Sequence, residues 1–297
     1  MLAALARDPA VVEPMIDGGR YSDALPILEM GRAVYPDRVE SLNQLGNAYS
    51  ELGRLREAQM TLEGALKIER ARGETATHQL ALTLNNLGLV YNKLHLLSKA
   101  EDTISEAAQI HRFLDDRLGE AQAAMNLAST YRAEGRLLDA EPLFRQALTI
   151  REQMLLESDR DIAIAANNLG VVLIDLKRWD EAAPLLARAL SIWERALGER
   201  HPQTLAALNN LGVLYLHLGR FDAAEPYLAR AVKIGAEILP PHHPHLAAYM
   251  NSYALALRKL DRKKEARQFQ EAAREAREHY DRANALGFTV DARQTFH

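Results

Sequence analysis

Asparagine pairs recur along this chain at positions where a helix gains nothing from them. Asn43, Asn85, Asn167, Asn209 and Asn251 share one repeating position, and Gln44, Asn86, Asn126, Asn168 and Asn210 share the next. A carboxamide is a poor side chain for a helix interior because it competes for backbone hydrogen bonds. It can, however, donate to a peptide carbonyl and accept from a peptide N–H. Repeated along one face, such amides could hold any extended chain by its main chain without reading its side chains. They could equally bond a neighbouring helix and fix how helices stack, because buried polar groups must find partners.

Residues that could add side-chain specificity follow on the same segments. Asn47, Ser50, Glu51, Leu89, Asn92, Lys93, Ser129 and Arg132 make the N-terminal half polar and mixed in charge. Val171, Ile174, Val213, Leu216 and Leu255 make the C-terminal half apolar, flanked by Arg132, Arg258 and Lys259. A peptide with an apolar or aromatic anchor and some acidic residues would suit that lining. Packing between adjacent helices would account for the same apolar residues.

These positions are set by a repeat. Leu45, Leu87, Leu127, Leu169 and Leu211 are spaced 42, 40, 42 and 42 residues apart, and Tyr253 stands 42 beyond the last. A fixed period of this length implies one helical unit stacked many times. In the fifth copy Leu208, Leu211, Gly212 and Tyr215 fall at i, i+3, i+4 and i+7, one face of a first helix. Gly219-Arg220 is expected to end it, as Gly53-Arg54, Gly135-Arg136 and Lys177-Arg178 do elsewhere. Asp222 is expected to cap a second helix with an inner face of Ala224, Leu228, Ala231 and Ile234. Alanine recurs at 58, 100, 140, 182, 224 and 266, and again at 65, 107, 147, 189, 231 and 273. Small side chains at two fixed points allow close helix crossings. Pro142, Pro184 and Pro226 are expected near helix starts, where a missing N–H costs little.

The Leu-Gly/Ala, Tyr, Ala and Ala positions resemble the tetratricopeptide repeat, a helix-turn-helix unit. The stretch 19–53 has that family's 34-residue spacing. Later copies resemble the kinesin light chain subclass, with Leu197-Gly198-Glu199-Arg200-His201-Pro202 followed by Leu208-Asn209-Asn210-Leu211-Gly212-Val213-Leu214-Tyr215. The resemblance covers roughly residues 19–280. It implies an all-α, right-handed superhelical solenoid of about six repeats, with first helices lining a concave face. It further implies a protein- or peptide-binding adaptor that holds an extended segment in that groove. On this reading the candidate peptide-binding residues are Asn43, Asn85, Asn86, Asn126, Asn167, Asn168, Asn209, Asn210, Asn251, Arg132, Val171, Ile174, Val213, Leu216 and Arg258. The alternatives are a homo-oligomeric structural scaffold, and the sensor or regulatory part of a larger multidomain protein.

Three segments are expected: a degenerate N-terminal helix (1–18), the array (19–287) and a C-terminal tail (288–297) without periodicity, where disorder is expected. Phe288, Val290 and Phe296 could let the tail dock into a groove as a pseudo-ligand.

Composition narrows the function classes. The chain has 297 residues and a formal charge of −4, the wrong sign for a dedicated nucleic-acid binder. It has no cysteine, which excludes disulfides and thiolate chemistry. No apolar run approaches a membrane span and no secretory signal is legible, so cytoplasmic is the default location. Neither a phosphate loop nor a catalytic triad is legible, so no enzyme activity and no cofactor are expected. No metal site is expected either. His242, His243 and His245 cluster, but His243-Pro244 repeats His201-Pro202 at the 42-residue period, and no carboxylate is near in sequence. Trp179 takes the place of Leu55, Leu97, Leu137 and Phe221, and belongs in the core. Trp193 aligns with Glu69, His111, Arg151 and Gly235, positions expected to be exposed, which would make it a contact residue.

Overall fold

A computed structural model describes residues 9–17, 20–73 and 75–285, and every regular element among them is a helix. The tail 288–297 and its docking lie outside the described residues, as does residue 18, which ends the expected N-terminal segment. Two compact units divide the chain, residues 1–150 and 151–297. The first contains α1 (Pro9–Asp17), α2 (Tyr21–Val34), α3 (Val39–Glu51), α4 (Leu55–Ala71), α5 (His78–Lys93), α6 (Leu97–Phe113) and α7 (Arg117–Ala133). Helix α8 (Leu137–Met154) begins in it and ends past its boundary. The second contains α9 (Arg160–Asp175), α10 (Trp179–Leu197), α11 (Pro202–His217), α12 (Phe221–Ile238), α13 (Pro244–Lys259) and α14 (Lys263–Ala285). No helix among the described residues is long and apolar enough to cross a membrane.

Each hairpin joins a first helix to a second through a tight turn. Gly53, Gly135 and Gly219 close three of these turns with positive φ, and Lys177, at φ 61°, does the same without glycine's freedom. Within each unit consecutive helices pack together, and first helices also touch the first helices two elements away, α3 on α5 on α7 and α9 on α11 on α13. All the recurring alanines are buried, from Ala58 and Ala65 to Ala266 and Ala273. The glycines of the first helices allow closer contact still. A Cβ on Gly170 would lie 2.7 Å from Cγ and Cδ2 of Leu186, so the large side chain of the second helix occupies the space the glycine leaves.

A polar latch tightens the stacking. Tyr49 donates to Glu29 at 2.7 Å, Tyr91 to Glu63 at 2.8 Å, Tyr131 to Glu101 at 2.7 Å and Tyr253 to Glu225 at 3.1 Å. In three cases the turn arginine also reaches that carboxylate: Arg54 on Glu29, Arg136 on Glu101 and Arg262 on Glu225. Burial, and then the bond to an anionic acceptor, push the Tyr49 and Tyr91 phenols up to about 12.

Two local expectations change. Asp222 is not a cap: Arg220 holds that place without a side-chain bond, and Asp222 lies in the first turn. Pro142, Pro184 and Pro226 are each the sixth residue of a helix, past the turn that tolerates them. Each faces solvent, where water can satisfy the carbonyl deprived of its donor. At the N-terminal end Pro14 lies inside α1. At the other end α14 buries Ala266, Ala273 and Ala276 and exposes its charged face, as a sealing helix should.

Candidate binding surface

The asparagines sit mid-helix on α3, α5, α7, α9, α11 and α13, and several spend their amides on one another. Asn126 Nδ2 donates to Asn85 Oδ1 at 3.5 Å in the first unit, and Asn210 Nδ2 to Asn167 Oδ1 at 2.9 Å in the second. In both of these pairs the second amide of one repeat bonds the first amide of the repeat before it, whereas Asn86 makes no such bond to Asn43. Asn43, buried, donates instead to Thr83 Oγ1 at 2.7 Å. Asn43 Oδ1 and Asn209 Oδ1 are buried without a partner among the described residues.

Not every amide is used this way. Asn86 and Asn168 are half-buried, and among the described residues neither carries a side-chain hydrogen bond. Asn251 is exposed. Further along α9 and α11, Val171, Val213 and Leu216 are half-buried, whereas Ile174 at 9 % exposure offers little surface. Arg132 and Arg258 are exposed near the ends of α7 and α13. Lys93 is held in the first unit by Ser50 Oγ at 2.9 Å and Glu51 at 3.0 Å, and desolvation lowers its pKa.

The histidine-proline pairs have a mechanical role. His201 Nδ1 accepts from Gln203 N–H at 3.2 Å and His243 Nδ1 from His245 N–H at 3.1 Å, each ring capping a helix with proline at its first position. Burial, aided by Arg160, depresses the His201 pKa, which favours the neutral ring this bond requires.

The two tryptophans reverse the expectation. Trp179 is half-buried and stacks on His217 with ring centroids 6.0 Å apart. Trp193 is 2 % exposed and is not a contact residue. The column it belongs to is interior throughout: Glu69, His111, Arg151 and Gly235 are all buried. Two polar members bond the start of the next helix, Arg151 through the carbonyl of Asp161 at 2.8 Å and His111 through the capping Asp116. His111 lies 2.9 Å from Asp116 and 3.1 Å from Asn85. Sequence reading misses this cluster because its members are spread along the chain and their polarity suggests exposure.

The tetratricopeptide repeat profile matches residues 39–72, 79–153, 161–237 and 215–279. No curated protein matches the chain. Among solved structures, BtubC (BKLC) from P. vanneervenii is similar at a TM-score of 0.66 and 21 % identity, covering 76 % of this chain and 92 % of its own. A Podosopora anserina kinesin light chain-type protein with nearly identical TPR-like repeats gives 0.56 and 21 %, covering 68 % and 95 %. The apo form of the quorum sensor NprR from B. thuringiensis gives 0.63 and 13 %, covering 89 % and 85 %. At these identities the likeness concerns the fold. The first matched repeat, residues 39–72, pairs α3 with α4. Helix pairing and profile agree from there to residue 279, and the chain belongs to the tetratricopeptide repeat family.

Proposed function

We propose that this chain is a peptide-binding adaptor that holds an extended segment against its first helices. Tetratricopeptide repeats generally serve as protein-interaction scaffolds and not as catalysts, and the finer reading rests on the amides. Asn86 and Asn168 are the observation that carries it: both keep a half-buried carboxamide that stacking does not consume. A peptide main chain supplies the carbonyl and N–H such a group lacks. Asn85 and Asn126 in the first unit, and Asn167 and Asn210 in the second, then act mainly by fixing the surface, and Asn251 is exposed on α13. Val171, Val213 and Leu216 supply apolar contact in the second unit, and Arg258 favours acidic ligand residues.

The test is selection of binders from a random peptide display library, followed by calorimetry with N86A and N168A, singly and together. Melting should be nearly unchanged, because alanine is the better helix former. Each substitution should weaken peptide binding by about 0.5–1.5 kcal/mol. Undiminished affinity in the double variant would refute the clamp.

A further inference from the structure

We propose that His78, His111 and Asp116 form a binding site for a divalent transition metal ion of the Zn²⁺ type, where the starts of α5 and α7 meet the end of α6. One donor atom from each residue lies within 4.8 Å of the others. Asp116 Oδ2 is 2.9 Å from His111 Nδ1 and 3.2 Å from His78 Nδ1. Neighbouring ligands of a tetrahedral ion with bonds of about 2.0–2.2 Å stand about 3.4 Å apart, so small movements would admit one. Two imidazoles and a carboxylate suit a borderline cation and leave a fourth position for water.

The surroundings hold these donors in place. Asp116 Oδ1 accepts the N–H of Gly119 at 2.9 Å as the N-cap of α7, which aims Oδ2 at both rings. Glycine at 119 lets His111 and Asp116 come together. A Cβ there would strike His111 Nδ1 and Asp116 Oδ2. The side chains of His111 and Asp116 are 8 % and 25 % exposed and form a fixed floor, while His78 is 69 % exposed and can swing onto the ion from solvent.

Metal binding would also reset a tautomer. In the metal-free arrangement Asn85 Nδ2 faces His111 Nε2, and both contacts of the ring are satisfied together when Nε2 accepts and Nδ1 donates to Asp116. Coordination through Nδ1 removes that proton and one is taken up at Nε2, so the neutral ring keeps a single proton. The new Nε2–H needs an acceptor, and Asn85 provides one by turning its amide to present Oδ1. That turn withdraws Oδ1 from Asn126, so the ion's outer shell is the asparagine ladder itself.

The experiment is calorimetric titration of the full chain with Zn²⁺, comparing H78A and D116N. His78 is exposed and Asn is a good N-cap, so both variants should keep the fold. Each should lose at least about tenfold in Zn²⁺ affinity relative to the parent. Nitrogen-15 NMR of the parent should show the His111 proton moving from Nδ1 to Nε2 on addition of Zn²⁺. A loss smaller than tenfold in either variant, no binding by the parent, or an unchanged His111 tautomer would overturn the proposal and leave a helix cap hydrogen-bonded to histidine.

Discussion

Two glycines on helices should respond to the same substitution with opposite sign. Replacing Gly with Ala in a helix interior gains about 0.8–1 kcal/mol of intrinsic propensity. At Gly64, on α4, an added Cβ meets nothing within 4 Å, so G64A should realise that gain. At Gly170, on α9, the Cβ would lie 2.7 Å from two carbons of Leu186 and 3.6 Å from the carbonyl oxygen of Ala182. Leu186 is fully buried and cannot withdraw. Overpacking of this kind costs about 1–3 kcal/mol, which outweighs the propensity gain and makes G170A destabilising by about 1 kcal/mol. Trimming the obstacle should reverse the effect. L186A alone should cost about 3–5 kcal/mol through its cavity. The new methyl of G170A enters that cavity, so the double variant should be more stable than the sum of the singles by about 0.5–3 kcal/mol. Urea unfolding of the parent and the four variants, followed by far-UV circular dichroism, measures all of these differences. If G170A stabilises as much as G64A, or the two changes simply add, the glycine does not set the helix crossing.

Two further outcomes follow from backbone and protonation. K177G should raise stability by about 1 kcal/mol, because Lys177 holds a left-handed conformation that glycine adopts without strain; a lower urea midpoint would refute this. His201 has a depressed pKa in the folded state, so the unfolded chain binds its proton first on acidification. The stability it contributes is complete above the ordinary histidine value of 6.5 and is lost as pH falls through the lower folded value. H201N, a neutral cap, should flatten the pH dependence of melting in that window; an unaltered slope would be the contrary result.

The helix pairs are legible because the period places apolar and small residues on one face again and again, and a hairpin needs little more. Turns at Gly53, Gly135 and Gly219 are legible for the same local reason. What spans two repeats is not. The tyrosine-glutamate latch joins residues 20 to 30 positions apart, and neither partner is apolar enough to announce burial. The column of Glu69, His111, Arg151, Trp193 and Gly235 aligns correctly by the period, yet its polarity points to exposure and the structure buries it. In a stacked array a polar side chain can be buried by the next repeat, which supplies both the cover and the hydrogen-bond partner. The asparagine pattern is visible in sequence, but the division of amides between stacking and free positions is not: Asn86 keeps its amide free although Asn43 Oδ1, at the matching position of the repeat before, has no partner among the described residues. Asn210 finds Asn167, whereas Asn168 keeps its amide free.

That buried column limits how such a gene can be rearranged. Each junction uses a different chemical key: an imidazole that needs the carboxylate of Asp116, a guanidinium that needs the carbonyl of Asp161, an indole, a bare glycine. Duplicating or reordering the repeats would preserve every helix and every period yet seat a key against the wrong lock, stranding a charge or leaving a hole. At these junctions the copies are no longer chemically interchangeable, although their outlines still match.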